Sequence, residues 1–299
     1  MTTTYELEQR QTRRAAQLLA SSGEHSYDPD IDIDWSADLE PGKWFVPQHR
    51  CTLYGTQTWH RMSEEQRLLL SREELAASIA LGVWTEQMLL QMVSRYVYDR
   101  DVSTPSVQFA LTEVADEVRH MIMFARVVDA IGSQVYPTPT RIKQTGRMLK
   151  SAAPVSALWA LVLLTEEMFD RTQREMAADE SVQPLVRAMA RIHVIEEARH
   201  ISFARTEIEA RIPELSRIEL SAFRALLAMS VQTFAGEFFN PLVYRRVGLD
   251  ERQAMREARA NPHVRETFRW AASRITDYYS SIGLIGGTSE HIWTRLGFR

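Results

Sequence analysis

Apolar residues recur every three or four positions through most of the chain, and no stretch sustains the strict alternation of a half-buried strand. This period predicts an all-α protein. Ser63 ahead of Glu64-Glu65 reads as a helix N-cap. Helices are expected over 63–68, 70–101, 104–131, 150–178, 181–210 and 215–238. Pro105, Pro154, Pro184 and Pro213 fall near proposed starts or breaks, where a missing N–H costs little, and Gly132 falls near an end. A polar helix is expected over 1–20, with shorter helices near 241–247, 250–259 and 262–282. Residues 22–56, rich in Asp, Pro and Gly, read as an extended arm lying over the domain, and the tail past 282 as irregular. The expected organisation is a single domain, 1–299: N-terminal helix and arm to residue 62, a helical bundle over 63–238, and C-terminal helices beyond it.

Two strings stand out from this pattern, Glu117-Val118-Arg119-His120 and Glu197-Ala198-Arg199-His200. In each, Glu and His lie three residues apart on one helix face. They belong to a weak long-range repeat, DEVRHMIMFAR at 116–126 and EEARHISFAR at 196–205, whose spacing equals two helices with their turns. His193 lies four residues before Glu197 and in phase with it. Its counterpart in the first helix is Glu113, either near the site without joining it or exposed. Carboxylate oxygen and imidazole nitrogen together suit iron, and manganese accepts them too. A bundle holds two such ions with two Glu-x-x-His pairs and one Glu from each of two other helices.

Glu86 supplies the first isolated carboxylate. It sits on a stripe of Ile79, Gly82, Val83, Leu89, Leu90 and Val93, where an unpaired charge is costly. Glu73 and Glu74 lie in a polar stretch and are expected to be solvated. The second choice is Glu166 or Glu167. The face through Glu166 carries Trp159, Val162, Leu163 and Phe169, whereas Glu167 shares its face with Arg171 and Arg174, so Glu166 is preferred. Asp170, one turn on, is a possible pocket residue pointing to the same place. The expected metal set is Glu86, Glu117, His120, Glu166, His193, Glu197 and His200. A single Glu-x-x-His is common on ordinary helices; the doubling, the added His and the two isolated Glu residues carry the reading. Arg119 and Arg199 are expected to pair with charges beside the site. His25, His49, His60, His263 and His291 read as surface or structural residues. Met123, Phe124, Trp159, Phe169 and Phe203 are pocket walls or ordinary core, and Arg265, Arg269, Arg274 and Arg295 are candidate cations for an acidic substrate.

Composition narrows the class. With 45% hydrophobic residues a sizeable core is available, and 35 basic against 39 acidic residues give no reason to expect nucleic acid or an anionic membrane as partner. The longest apolar run, Ala157–Leu164, is too short to span a bilayer. The first twenty residues lack a secretory pattern. One cysteine, Cys51, leaves no internal disulfide, so a cytoplasmic location is expected.

LYGTQTWHRMSEEQRLLLSREE at 53–74, DEVRHMIMF at 116–124 and HVIEEARHISFAR at 193–205 resemble the ferritin-like di-iron N-oxygenases typified by the aureothin-pathway p-aminobenzoate N-oxygenase. The resemblance runs from about residue 50 to residue 240. That family adds a His one turn before its second Glu-x-x-His, the place His193 holds here. The 27-residue spacing from Glu166 to His193 also matches. The resemblance implies a ferritin-like four-helix bundle binding two Fe ions, with O2 as co-substrate and an external electron donor. The implied reaction oxidises an amine nitrogen, an arylamine foremost, to a hydroxylamine, nitroso or nitro product. It also implies a homodimer. Competing readings are a di-iron hydroxylase or desaturase acting on carbon, a ribonucleotide reductase radical subunit using Tyr96 or Tyr98, an iron store, and a metal-free helical scaffold. The substrate-contacting residues match less clearly and leave the substrate open.

Overall fold

Prolines and short polar side chains set most of the helix starts. The computed structural model describes residues 4–299, and no strand forms among them; an isolated parallel bridge joins Trp44 to Val182. Residues 1–3 of the expected first helix lie outside the described residues. From the N-terminus come α1 (Thr4–Glu24), α2 (Pro29–Asp32), α3 (Gln57–Arg61), α4 (Glu64–Tyr98), α5 (Pro105–Ala130), α6 (Thr140–Ala152), α7 (Val155–Ala178) and α8 (Pro184–Arg211). Then follow α9 (Arg217–Glu237), α10 (Pro241–Arg246), α11 (Glu251–Ala260), α12 (Pro262–Ser281) and α13 (Glu290–Leu296).

Ser63 closes a capping box with Gln66 at the start of α4, and Ser216 does the same with Glu219 at α9. Asn240, Asp250 and Asn261 cap α10, α11 and α12 through their side-chain oxygens. Several elements differ from the sequence expectation, among them the short helices α2 within the expected arm and α3 just after it. The helices expected over 63–68 and 70–101 are one helix, because neither Pro nor Gly interrupts the chain there. Residues 140–152, where no helix was expected before residue 150, form α6, which ends at Ala153 because Pro154 disfavours helical geometry in the residue before it. The tail holds α13, closed by Gly297 in the left-handed conformation at φ 81°.

Helices α4, α5, α7 and α8 form the bundle. Short connections at 99–104 and 179–183 pair α4 with α5 and α7 with α8 as antiparallel neighbours. Helix α1 lies against α5 and α8, and α12 lies against α7. Two apolar cores result. One gathers Tyr96, Trp159, Phe203, Tyr279 and Trp293; the other gathers Leu53, Trp59, Met123, Phe124 and Tyr136. Each fully buried side chain of this size contributes roughly 1.5–3 kcal/mol against exposure. Phe109 of the first core meets the His200 ring at 6.5 Å, and Phe124 of the second lies 4.9 Å from the His193 ring. The polar centre described next therefore sits between the cores. Among the described residues, no helix is long and apolar enough to cross a membrane.

Candidate metal centre

All seven donors expected from the sequence are buried, Glu117, His120 and Glu197 completely. Helix α4 brings Glu86, α5 brings Glu117 and His120, α7 brings Glu166, and α8 brings His193, Glu197 and His200. One donor atom from each of Glu86, His120, His193 and Glu197 lies within 4.8 Å of the others, as do donors from Glu117, Glu197 and His200. The two groups share Glu197. Glu166 belongs to neither group, but it is buried and interacts electrostatically with Glu197 and Glu117.

The histidines are aimed. His120 Nδ1 lies 3.0 Å from Glu117 Oε2 and 3.4 Å from Glu197 Oε1. His200 Nδ1 lies 3.0 Å from Glu117 Oε1 and 3.0 Å from Glu197 Oε1. His193 Nε2 lies 3.4 Å from Glu86 and 3.7 Å from Glu197. The far side of each Glu-x-x-His imidazole is held from the opposite helix. His120 Nε2 meets Glu196 at 2.8 Å, and His200 Nε2 meets Asp116 at 3.3 Å. This reciprocal clasp turns both Nδ1 atoms inward. Sequence reasoning missed Asp116 and Glu196. Their signal was present: an acidic residue stands immediately before the Glu of each pair.

These two carboxylates are themselves anchored. Arg119 pairs with Asp116, and Arg199 lies 3.6 Å from Asp116 and 3.8 Å from Glu196. The arm closes the arrangement, since the Tyr27 amide donates to Glu196 and Arg199 donates to the His25 carbonyl. The expected ion-pairing role of both arginines matches this geometry.

Charge at the centre is unbalanced without a cation. Burial, then the charges of Glu117 and Glu166, hold the Glu86 carboxyl well above its usual range. Burial and the charges of Glu197 and Glu117 do the same to Glu166, and burial with Glu117 raises Glu197. Burial would also raise Glu117, but hydrogen bonds from Glu86, His120 and His200 and the His200 charge pull it well below. Burial disfavours the charged imidazoles. Even so, hydrogen bonds to Glu117 and Glu196 push His120 up to about 9, and the charges of Glu197 and Glu117 raise His200 further. His193 is driven the other way by burial and the His120 charge. Among the described residues, Oε2 of Glu86, Glu166 and Glu197 and Nδ1 of His193 have no hydrogen-bond partner. Buried carboxylates in this state are costly unless protonated or bound to a cation. The donor set fits two hard or borderline metal ions, which would take the place of the retained protons.

Other expectations need correction. Glu167 is buried like Glu166, but Arg205 neutralises it. Asp170 is buried one turn past Glu166, yet it is bound by Arg174 at 2.8 Å with Arg274 at 3.8 Å, and it lines none of the cavities described here. Glu113 is not exposed: it is buried one turn before Glu117. Glu73 is not solvated either, because Tyr136, Ser133 and Arg246 donate to it. Glu74 accepts from the Thr52 amide and hydroxyl. Burial raises Glu74 to about 7, outweighing the hydrogen bonds from Thr52 and Cys51. Met123, Trp159 and Phe203 are core, whereas Phe124 and Phe169 also line a cavity.

That cavity is small, about 30 Å³, and reaches Glu86 and His193 past Phe124 and Phe169. A larger one of about 140 Å³ shares Leu75, Ser78, Phe169, Thr172 and Met176 with it. The two cavities lie on either side of this mostly apolar wall, and the smaller one borders the metal centre.

Residues 8–283 match the family model of the p-aminobenzoate N-oxygenase AurF. The chain is also 29% identical over 215 residues to uncharacterised proteins of Mycobacterium bovis and of two Mycobacterium tuberculosis strains. The match covers 68% of this chain and 62% of each relative's length. The seven donors, the reciprocal clasp and a family match over most of the chain lead to one conclusion: the protein belongs to the AurF family of ferritin-like helical proteins.

Proposed function

We propose that this protein is an O2-dependent di-iron monooxygenase that oxidises an amine nitrogen. The observation that carries the reading is the convergence of three carboxylates and three imidazoles in two overlapping buried groups, with the Glu166 carboxylate buried beside them and an apolar cavity ending at Glu86 and His193. Glu86, Glu117, His120, Glu166, His193, Glu197 and His200 would hold two iron ions, for which manganese could substitute. When bound, the ions supply the redox chemistry of O2 reduction, using electrons from an external donor.

The chain supplies placement and surroundings. Four carboxylates offset the charge of the ions. Glu196 and Asp116 hold His120 and His200 by Nε2, leaving Nδ1 for metal. Phe124, Phe169 and Leu75 keep the approach apolar, which excludes water and favours an uncharged amine next to the metals. His193 would give one of the ions an additional nitrogen donor. No side chain serves as a covalent nucleophile. The protein acts as a homodimer in this reading.

The test is anaerobic loading with ferrous iron, a count of metal per chain, exposure to O2 and mass analysis of products from an amine panel. Two irons per chain and an oxygenated nitrogen are expected. Products oxygenated only at carbon would replace this reading with a hydroxylase, and a chain that binds no metal would end it.

A further inference from the structure

The larger cavity has an acidic end that the metal chemistry does not use. Glu74 lies twelve residues before Glu86 on α4, about 18 Å along the axis at ~1.5 Å per residue. Glu74 borders the larger cavity and Glu86 the smaller one, and the two cavities share five lining residues. The charges around the larger cavity can be paired off. Arg50 is committed: its Nε and Nη2 donate to Glu175 at 2.7 and 3.0 Å, its Nη1 donates to Thr267, and its plane stacks on Trp270 at 3.8 Å. Glu237 is paired with Arg141. Glu74 has no Lys, Arg or His within salt-bridge distance among the described residues. Its polar neighbours are Thr52, whose amide and hydroxyl donate to it, the Cys51 thiol, which also donates to it, and Tyr244, which meets the Thr52 hydroxyl at 2.9 Å. Thr52 and Cys51 together leave acceptor capacity on a carboxylate that lines a cavity of otherwise mostly apolar walls. A carboxylate ligand placed there would meet a like charge with no free cation to offset it.

We propose that Glu74 is the recognition point at the far end of the substrate cavity, and that it selects elongated amines carrying a second, cationic or hydrogen-donating group. The reacting nitrogen would lie toward Glu86 and His193, and the second group would bind Glu74. An aromatic amine whose far end is a carboxylate is then disfavoured. The assignment of the cavity to substrate rests on the amine-oxidation reading, but the ligand preference does not require a working metal centre.

The test uses metal-free protein and two probes of equal length, 4-(4-aminophenyl)butylamine and 4-(4-aminophenyl)butanoate, by isothermal titration at pH 8. The wild type is expected to bind the butylamine about tenfold or more tightly than the butanoate, the range of one charge-assisted hydrogen bond. Glu74→Gln, which can still accept from Thr52, is expected to bring the two affinities within about threefold, and Glu74→Asp to keep the preference. Circular dichroism checks that each variant folds. Should Glu74→Gln not fold, the wild-type ratio and Glu74→Asp decide. Equal or tighter butanoate binding, no butylamine binding at millimolar concentration, or an unchanged ratio in folded Glu74→Gln overturns the proposal. A clear preference in a protein that oxidises no amine would keep the site and remove the reaction.

Discussion

Removing one arm of the reciprocal clasp is the most informative perturbation. Glu196 accepts from His120 Nε2 at 2.8 Å and from the Tyr27 amide at 3.3 Å, and it is almost fully buried. Glu196→Ala leaves the imidazole N–H without its acceptor in a site closed to water. An unmet buried donor costs about 1–3 kcal/mol, more when charge is involved. In the metal-bound protein that penalty falls on the orientation that presents Nδ1. At ~1.4 kcal/mol per tenfold, metal affinity should drop roughly 10- to 100-fold, the usual range for loss of a carboxylate behind a metal-bound histidine. Glu196→Gln retains an acceptor oxygen but not its charge and should fall between wild type and Glu196→Ala. Asp116→Ala should act in the same way through His200, with its 3.3 Å contact. The assay is anaerobic competition between protein and a coloured chelator for Co(II) or Fe(II), with metal stoichiometry read separately. Affinities within about twofold of wild type for both Ala variants would refute the clasp as the device that aims the ligands.

His193→Ala should retain most of its metal, since six donors remain, yet lose about tenfold or more of amine oxidation; full metal content with full activity would show that His193 has no such role. Metal should stabilise the fold: at about 100 times its Kd it adds ~2.7 kcal/mol, raising the melting temperature by roughly 5 °C, which a chelator should reverse in a thermal scan. Glu73 gives a pH test. Burial would raise its pKa, but hydrogen bonds from Tyr136, Ser133 and Arg246 and the Arg72 charge bring it below the ordinary value. Its stabilisation is therefore present above about pH 4.5 and is lost as pH falls through the lowered folded value. Glu73→Gln should cost about 1–3 kcal/mol in urea unfolding at pH 7 and much less near pH 3; an equal gap at both pH values would be evidence against it.

What the sequence determined was local. Three-and-four spacing put Glu117 with His120, and His193 with Glu197 and His200, on single faces before any neighbour was known. An isolated Glu on an apolar stripe marked Glu86 and Glu166 because burying a lone carboxylate is expensive. The capping residue Ser63 placed the start of α4. Tertiary structure decided everything that depends on which helix faces which. Asp116 and Glu196 became clasps only because α5 and α8 pack together, joining residues 84 and 76 apart in the chain. Glu166 and Glu167 were adjacent and both ended up buried; they were separated by which one meets Arg205 across to α8. Glu73 and Glu74 looked solvated because their sequence neighbours are polar. The residues that cover them come from elsewhere: Tyr136 and Ser133 between α5 and α6 for Glu73, and Thr52 of the arm for Glu74. A helix fixes the direction of its own side chains through its 3.6-residue turn, but the identity of what they meet is set by packing among distant segments.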